Sequence, residues 1–143
     1  MAIHLGIDYG RRRIGLAISD ASEMIATPTT ALAGTGQVER DARLVVDFAD
    51  RNGVEHFVVG LPINMDGSEG PQAKLARRFA DKLAALAGRP VELYDERLTS
   101  WAADRALEEA QLSPGKRKAR RDSVAAQIML QGYLEAKRRQ PSP

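Results

Sequence analysis

The chain opens with two short segments of alternating apolar residues. In segments 3–7 and 14–18, every second position is Ile or Leu. A period of two is typical of strands with one face in the core, and the short connection between them predicts an antiparallel hairpin. On the opposite face of this hairpin lies Asp8. The positions that share this face have small residues, namely Gly6, Gly10, Gly15 and Ala17.

Asp8 has two interpretations. Asp is uncommon inside strands, and its small neighbours leave space above the sheet, so the carboxylate is well placed to bind a metal ion. Alternatively, Asp8 only bonds backbone amides of a turn at Tyr9-Gly10-Arg11. The hairpin supports both interpretations equally, and the rest of the chain must decide between them.

Strands and helices alternate after the hairpin. We predict a third strand over 24–32, confined to a sheet edge by Pro28, and a buried strand over 56–59 that leads into a glycine-rich loop over 60–70. A last strand is predicted over 91–94. The first predicted helix has the apolar stripe Val38, Ala42, Val45 and Ala49 and ends at Asn52-Gly53. The second begins at Pro71, ends at Gly88 and has the stripe Leu75, Phe79, Leu83 and Leu86.

Two more helices complete the prediction. One spans 101–111, a mobile basic loop follows over 112–121, and the final helix begins at Asp122 and ends near Arg138. Its predicted buried face is Ala125, Ile128, Met129, Gly132 and Ala136. This order predicts an α/β fold with a mixed five-stranded sheet and helices on both faces. We expect one domain over 1–139 and a frayed tail over 140–143.

Composition narrows the class of protein. The chain has 143 residues, of which 43% are hydrophobic and 28% charged, and it has no cysteine. Thiolate metal sites, disulfides and cysteine nucleophiles are therefore excluded. Because there is neither a signal segment nor a long apolar run, we expect a cytoplasmic protein without membrane contact. We further expect a monomer or a weak homodimer.

Positive charge is clustered, although the net charge is only +2. Arg11, Arg12 and Arg13 lie in the first turn, and five of the six residues over 116–121 are basic. Such runs are usually solvated surfaces, so they indicate a polyanionic partner only if they converge on one site.

Three acids are expected at one edge of the sheet. Asp8 and Glu96 lie near the carboxyl ends of predicted strands, where ligands bind in open α/β sheets. Asp122 begins the last helix, and its helical neighbours are small and apolar. Each acid also has a purely structural explanation, since Glu96 can pair with Arg97 and Asp122 can stabilise a helix N-terminus.

Hard carboxylate oxygens select Mg²⁺ or Mn²⁺. Zinc is disfavoured because His4 and His56 are the only imidazoles. Neither lies near a carboxylate pair in sequence, and we interpret both as ordinary strand residues.

With these residues in view, the chain resembles the YqgF/RuvX family of pre-16S rRNA nucleases, which are related to Holliday-junction resolvases. The matching segments are 6–10 with 13–20, 60–67, 95–100 and 122–134. The resemblance implies a ribonuclease H-like fold with strand order 3-2-1-4-5, in which strand 2 is antiparallel. It also implies the active-site acids Asp8, Glu96 and Asp122, and a bacterial cytoplasmic protein that matures the 5′ end of 16S rRNA.

The mechanistic hypothesis is a two-metal nuclease. Asp8, Glu96 and Asp122 would hold two Mg²⁺ or Mn²⁺ ions that activate water and stabilise the leaving oxygen. The basic runs would then converge on the acids and bind phosphates of an RNA precursor or of branched DNA. The predicted nucleic-acid-binding residues are Arg11, Arg12, Arg13, Lys116, Lys118, Arg120 and Arg121. Tyr94 and Trp101 could stack on bases, although a core position is commoner for such residues.

Three alternatives remain. The first is a Holliday-junction resolvase acting on DNA in recombination, which would use the same acids. The second is a non-catalytic RNA-binding factor for ribosome assembly, which would keep only the basic surface. The third, a nucleotide-binding module of the sugar-kinase type, needs a second lobe that 143 residues cannot supply.

Overall fold

A mixed β-sheet forms the centre of the fold. The computed structural model describes residues 2–98 and 114–139, and for residues 98 and 114–122 it describes the backbone only. The strands are β1 His4–Tyr9, β2 Arg13–Ser19, β3 Ala26–Pro28, β4 Leu32–Ala33, β5 His56–Leu61 and β6 Val91–Asp95. The helices are α1 Val38–Arg51, α2 Pro71–Ala87 and α3 Pro114–Arg139, and a 3₁₀ turn spans Glu96–Leu98.

The sheet has the order β3-β2-β1-β5-β6, and β4 also pairs with β2. β1 pairs antiparallel with β2 and parallel with β5, which in turn pairs parallel with β6. The predicted order and strand directions are therefore confirmed. The predicted single strand over 24–32 is wrong, because two short strands replace it and bring the sheet to six. Pro28 ends β3, since proline offers no amide to continue a ladder.

The hairpin has the predicted register and faces. Asp8 pairs with Gly15 and Gly6 pairs with Ala17. On the other face, Leu5, Ile7, Ile14 and Leu16 are fully buried in the core beneath α1 and α2. Asp8 therefore lies on the side of the sheet that α3 covers.

Helices α1 and α2 cover the first face of the sheet. The predicted stripe of α1 is buried at Ala42, Val45 and Ala49. Pro71 begins α2, and Gly88 ends it in the left-handed region with φ 63°. The predicted stripe of α2 fails only at Leu86, which is 41% exposed. The next residue, Ala87, packs against the core instead, because the stripe continues from Leu83 by a step of four.

Helix α3 covers the second face and corrects the prediction for this part of the chain. It begins at Pro114 rather than at Asp122, so the segment predicted as a mobile basic loop is helical from Pro114 onwards. Proline suits the first position of a helix, and Lys, Arg and Ala are strong helix formers.

The buried face of α3 also differs from the prediction. The buried residues are Ser123, Ala126, Met129, Leu130 and Leu134. Of the predicted buried residues, Met129 alone is among them. Ala125, Ile128 and Gly132 are only partly buried and Ala136 is exposed.

Some predictions lie outside the described residues. These are the helix over 101–111 with Trp101 and the tail over 140–143. Across residues 2–98 and 114–139, no helix is both long and apolar enough to cross a membrane.

Candidate active site

Asp8 lies half-buried near the carboxyl end of β1, below helix α3. The small residues around it allow this helix to approach the sheet closely. A Cβ placed on Gly6 would lie 2.8 Å from the Cβ of Leu130 and 3.2 Å from the backbone oxygen of Ala126. Glycine at position 6 thus brings α3 directly onto β1, two residues before Asp8.

Glu96 reaches the same place from the end of β6. A Cβ placed on Gly60 would lie 2.2 Å from Oε1 of Glu96 and 2.9 Å from its Cγ. The carboxyl of Glu96 therefore rests on the bare backbone of β5, and a side chain at position 60 would displace it. This packing turns Glu96 inward, whereas the preceding residue, Asp95, forms an ion pair of 2.7 Å with Arg97.

The sheet register brings the two carboxyls together. Ile7 of β1 pairs with Val59 of β5, so Asp8 comes next to Gly60. Asp8 approaches Gly60 from one side and Glu96 from the other, and their side chains form a hydrogen bond. The structure thus joins two of the three acids that the sequence predicted.

The pair has unusual acid–base properties. The pKa of Glu96 is raised to about 8, firstly because burial disfavours its charged form and secondly because of the adjacent charge of Asp8. The hydrogen bond with Asp8 and the charge of Asp95 act in the same direction. The pair therefore keeps a proton to a higher pH than two separate carboxyls would.

A carboxyl pair of this kind fits a divalent cation. The two carboxyl groups bring hard oxygen donors together in a partly desolvated site. The shared proton reduces the repulsion between their negative charges, and a divalent cation would reduce it further. Among the residues whose side chains are described, no group of three His, Cys, Asp or Glu could hold a metal ion. A third carboxylate or imidazole ligand would have to come from outside that part.

Asp122 is located by its backbone only. Tyr133 of α3 lies against His4, with ring centroids 5.6 Å apart, whereas Ala126 lies over Gly6. The helix therefore runs antiparallel to β1. Asp122 lies one helical turn before Ala126. The four-residue step from Ala126 to Asp122 along the helix and the two-residue step from Gly6 to Asp8 along the strand both span roughly 6 Å, so the backbone of Asp122 comes to the level of Asp8. Its side chain is outside the described part of the structure.

The predicted basic residues fall into two groups. Arg11 and Arg12 are exposed in the turn between β1 and β2, and Arg13 is partly buried at the start of β2. Gly10 closes this turn with a 3.0 Å bond from its amide to the carbonyl of Arg13. The second group is Lys116, Lys118, Arg120 and Arg121, whose backbones lie in α3 and whose side chains are not described.

Of the remaining predicted residues, His4 is buried and stacks on His56 at 4.9 Å between ring centroids. Both lie at the opposite edge of the sheet from Asp8, as expected for residues outside the site. Tyr94 is partly buried and packs against the residues beneath α3, as expected for a core position.

Sequence reasoning missed the role of Gly60. It placed this residue at the head of a glycine-rich loop, whereas Gly60 belongs to β5. The available signal was a glycine within an apolar strand, which often marks a close approach of another group to the backbone.

The chain was compared with known proteins. The model of the RuvX family, described as Holliday junction resolvase, matches residues 2–136. The chain belongs to the RuvX family. A relative from Chloroflexus aurantiacus is 48% identical over 140 residues, which are 98% of this chain and 91% of the relative. A relative from Myxococcus xanthus is 46% identical over 134 residues, covering 94% and 88%. Both have the name "Putative pre-16S rRNA nuclease".

Solved structures show the fold of this RuvX-family chain. RuvC from Thermus thermophilus, solved in complex with a Holliday junction substrate, superposes with a TM-score of 0.59 at 18% identity over 97% of both chains. Another structure of RuvC from Thermus thermophilus gives a TM-score of 0.55 over 95% of this chain and 96% of that one. The fold is therefore ribonuclease H-like, as the resemblance implied. The family is one of nucleases, which hydrolyse phosphodiesters.

Proposed function

We propose that this chain is a divalent-metal-dependent nuclease that processes the 5′ end of the 16S rRNA precursor. The observation that supports it most directly is the convergence of Asp8 and Glu96 over Gly60. The name shared by the relatives supplies the substrate class.

Asp8, Glu96 and Asp122 would hold Mg²⁺ or Mn²⁺, and two such ions fit the chemistry of a phosphodiesterase. Ions held there would supply activation of the attacking water and stabilisation of the leaving oxygen. Asp8, on β1, and Glu96, in the 3₁₀ turn directly after β6, act as ligands, so they need not transfer protons to the substrate. In this proposal Asp122, whose backbone lies near the level of Asp8, supplies the third carboxylate.

Glu96 has to lose its proton before it can be a full ligand. Because the pKa of Glu96 is raised to about 8 in the metal-free protein, cation binding at neutral pH releases a proton. The site should therefore bind cations more tightly as the pH rises towards 8.

The basic residues have the role of holding the substrate. Arg11, Arg12 and Arg13 lie at the edge of the sheet where Asp8 lies, and the backbone of 116–121 directly precedes Asp122. Contacts from these side chains to phosphates would hold an RNA strand at this edge of the sheet, beside the acids, without selecting its sequence.

A matched pair of variants tests this function. Asp8→Asn removes a ligand while keeping the shape of the side chain, and Asp47→Asn changes an exposed acid of α1 that is ion-paired with Arg51 at the far end of the helix. Each protein is incubated with Mn²⁺ or Mg²⁺ and a labelled precursor containing the 16S 5′ leader. We expect cleavage by the wild type and Asp47→Asn, and a loss of at least 100-fold with Asp8→Asn.

A second substrate belongs in the same assay, because the family model is described as a Holliday junction resolvase. A labelled four-way DNA junction provides this arm. Cleavage of the junction but not of the leader would assign the chain to DNA resolution. RNA binding without cleavage of either substrate would instead favour an assembly factor.

A further inference from the structure

A groove lies on the face of the sheet opposite to Asp8. It occupies about 690 Å³ between the start of α1 and the middle of α2. Its walls include Arg11, Arg78 and Lys82 together with Gln37, Val38 and Leu75. A groove of this size accommodates a nucleotide-sized group.

The cations that line this groove make no ion pair with the acids that line it. Within the described residues, Arg11, Arg78 and Lys82 have neither an ion pair nor a side-chain hydrogen bond. Of the two acids that line the groove, Glu39 pairs with Arg43 at 2.8 Å, and the charge of Asp81 acts on Arg77. With three cations against two acids, of which Glu39 already pairs with Arg43 outside the lining, the groove has a net positive charge.

The start of α1 adds to this attraction. Its N-cap residue, Gln37, makes no side-chain capping bond, so the first backbone amides of the helix remain available beside Gly36 and Val38. Free amides at a helix N-terminus favour an anion.

Buried contacts hold the groove in shape. A Cβ on Gly34 would lie 2.4 Å from the carbonyl oxygen of Arg11, and the Gly34 amide donates to the carbonyl of Arg12 at 2.8 Å. This contact fixes the arginine turn against the segment that leads into α1. The buried carboxyl of Asp41 accepts bonds from the Tyr9 hydroxyl and from the amide and hydroxyl of Thr35, which secures the start of α1.

The groove and the acid site lie on opposite faces of β1 at neighbouring residues. Tyr9 follows Asp8 but projects to the other face, and the charges of Arg78 and Arg11 both act on its hydroxyl. A nucleic-acid strand that crosses this edge of the sheet would meet the acids on one face and the groove on the other.

We propose that Arg11, Arg78, Lys82 and the start of α1 bind a backbone phosphate of the RNA strand, outside the segment held at the acids. This proposal rests on the proposed function, because it assumes an RNA substrate. The groove contributes affinity and orientation, and it takes no part in bond cleavage.

Binding without cleavage provides the test. A fluorescently labelled single-stranded RNA taken from the 16S 5′ leader is titrated in EDTA with the wild type, with R78Q/K82Q, and with the charge-matched control R51Q/R139Q. The control residues are exposed at the ends of α1 and α3, at the opposite edge of the sheet. Thermal unfolding confirms that all three proteins are folded.

We expect R78Q/K82Q to weaken RNA binding on the order of tenfold relative to the control and to reduce the slope of log Kd against log salt by roughly 1. Equal affinities and slopes for the two double variants would overturn the proposal. Cleavage of the leader in Mn²⁺ is measured separately. If R78Q/K82Q weakens RNA binding but the wild type cleaves nothing, only the proposed nuclease function is refuted. If the wild type cleaves the leader and R78Q/K82Q binds RNA like the control, only the proposed phosphate site is refuted.

A free phosphate compound, rather than an RNA strand, could also supply the phosphate group that binds in the groove. Inorganic pyrophosphate is titrated into the RNA-free protein, and the amide resonances of Gly36, Gln37 and Val38 are followed by NMR. If pyrophosphate shifts these resonances only weakly, and RNA shifts the same resonances and displaces pyrophosphate, the groove binds an RNA strand. Tight pyrophosphate binding that RNA does not displace would contradict it.

Discussion

One glycine determines where the second acid of the site lies. Gly60 belongs to a central strand, and the carboxyl of Glu96 occupies the volume that a side chain at position 60 would need. Asp8 is held from the other side by the register of β1 with β5. The spacing of the two carboxyls thus depends on a position that bears no functional group.

Gly60→Ala tests this dependence. The added methyl group would overlap Glu96 and move its carboxyl away from Asp8, and a misplacement of about 1 Å commonly costs on the order of 100-fold in rate. We expect such a loss of cleavage with a fold that remains intact by circular dichroism. Gly70→Ala is the matched control, because its Cβ would meet nothing closer than 3.7 Å. Full activity of Gly60→Ala would show that the position of Glu96 is unimportant.

The proton on Glu96 makes folding depend on pH. Its folded pKa of about 8 exceeds the ordinary value of 4.5, so between these values the folded state binds more protons than the unfolded state. Stability must therefore fall as the pH rises through this window, and the destabilisation is complete above pH 8.

Chemical denaturation in EDTA at pH 5 and at pH 8.5 measures this effect. We expect the free energy of unfolding of the wild type to decrease by a few kcal/mol between these conditions. Glu96→Gln cannot titrate and should remove most of the decrease, and saturating Mn²⁺ should oppose it in the wild type. The same decrease in the wild type and in Glu96→Gln would exclude Glu96 as its source.

At the scale of elements, the two faces of the sheet have separate tasks. α3 lies on β1 at Gly6 and sets the level of Asp122, while α1 is attached to β1 through a buried bond of 2.5 Å from the Tyr9 hydroxyl to Asp41. Burial and the charge of Asp41 raise the pKa of Tyr9, which keeps its proton available for this bond. Neighbouring residues of β1 thus contribute to the carboxyl pair on one face and to the attachment of α1 on the other.

Tyr9→Phe separates these tasks. It removes the donor from a buried carboxyl that keeps its bonds from Thr35, so we expect a loss of about 1–3 kcal/mol in the free energy of unfolding. Below the unfolding transition, the cleavage rate should stay within about twofold of the wild type. Denaturant titration and single-turnover cleavage measure the two quantities, and a large loss of rate in the fully folded variant would contradict the division.

At the scale of the whole molecule, local patterns predicted most of the fold. The period of two in the hairpin placed Asp8 on the correct face, and glycine and proline positions located the ends of α1 and α2. Alternation of strands and helices predicted the parallel part of the sheet. These features depend on residues close together in sequence.

Other features depended on distant contacts and were not predictable in the same way. The buried stripe of α3 is set by its contact with Gly6, more than a hundred residues away. The start of α3 was mistaken for a loop because Pro114-Gly115 suggested a turn. The inward position of Glu96 required Gly60 on a neighbouring strand. Convergence of the acids was predicted from topology, yet its geometry came from packing.

The most direct test of the account is a crystal structure grown with MnCl₂, with anomalous scattering measured at the manganese edge. The account predicts an anomalous peak about 2.1 Å from carboxylate oxygens of Asp8 and Glu96, with Asp122 as a further ligand, and its loss in Asp8→Asn crystals. Asp8 and Glu96 still hydrogen-bonded to each other at saturating Mn²⁺, with manganese bound only elsewhere, would contradict it.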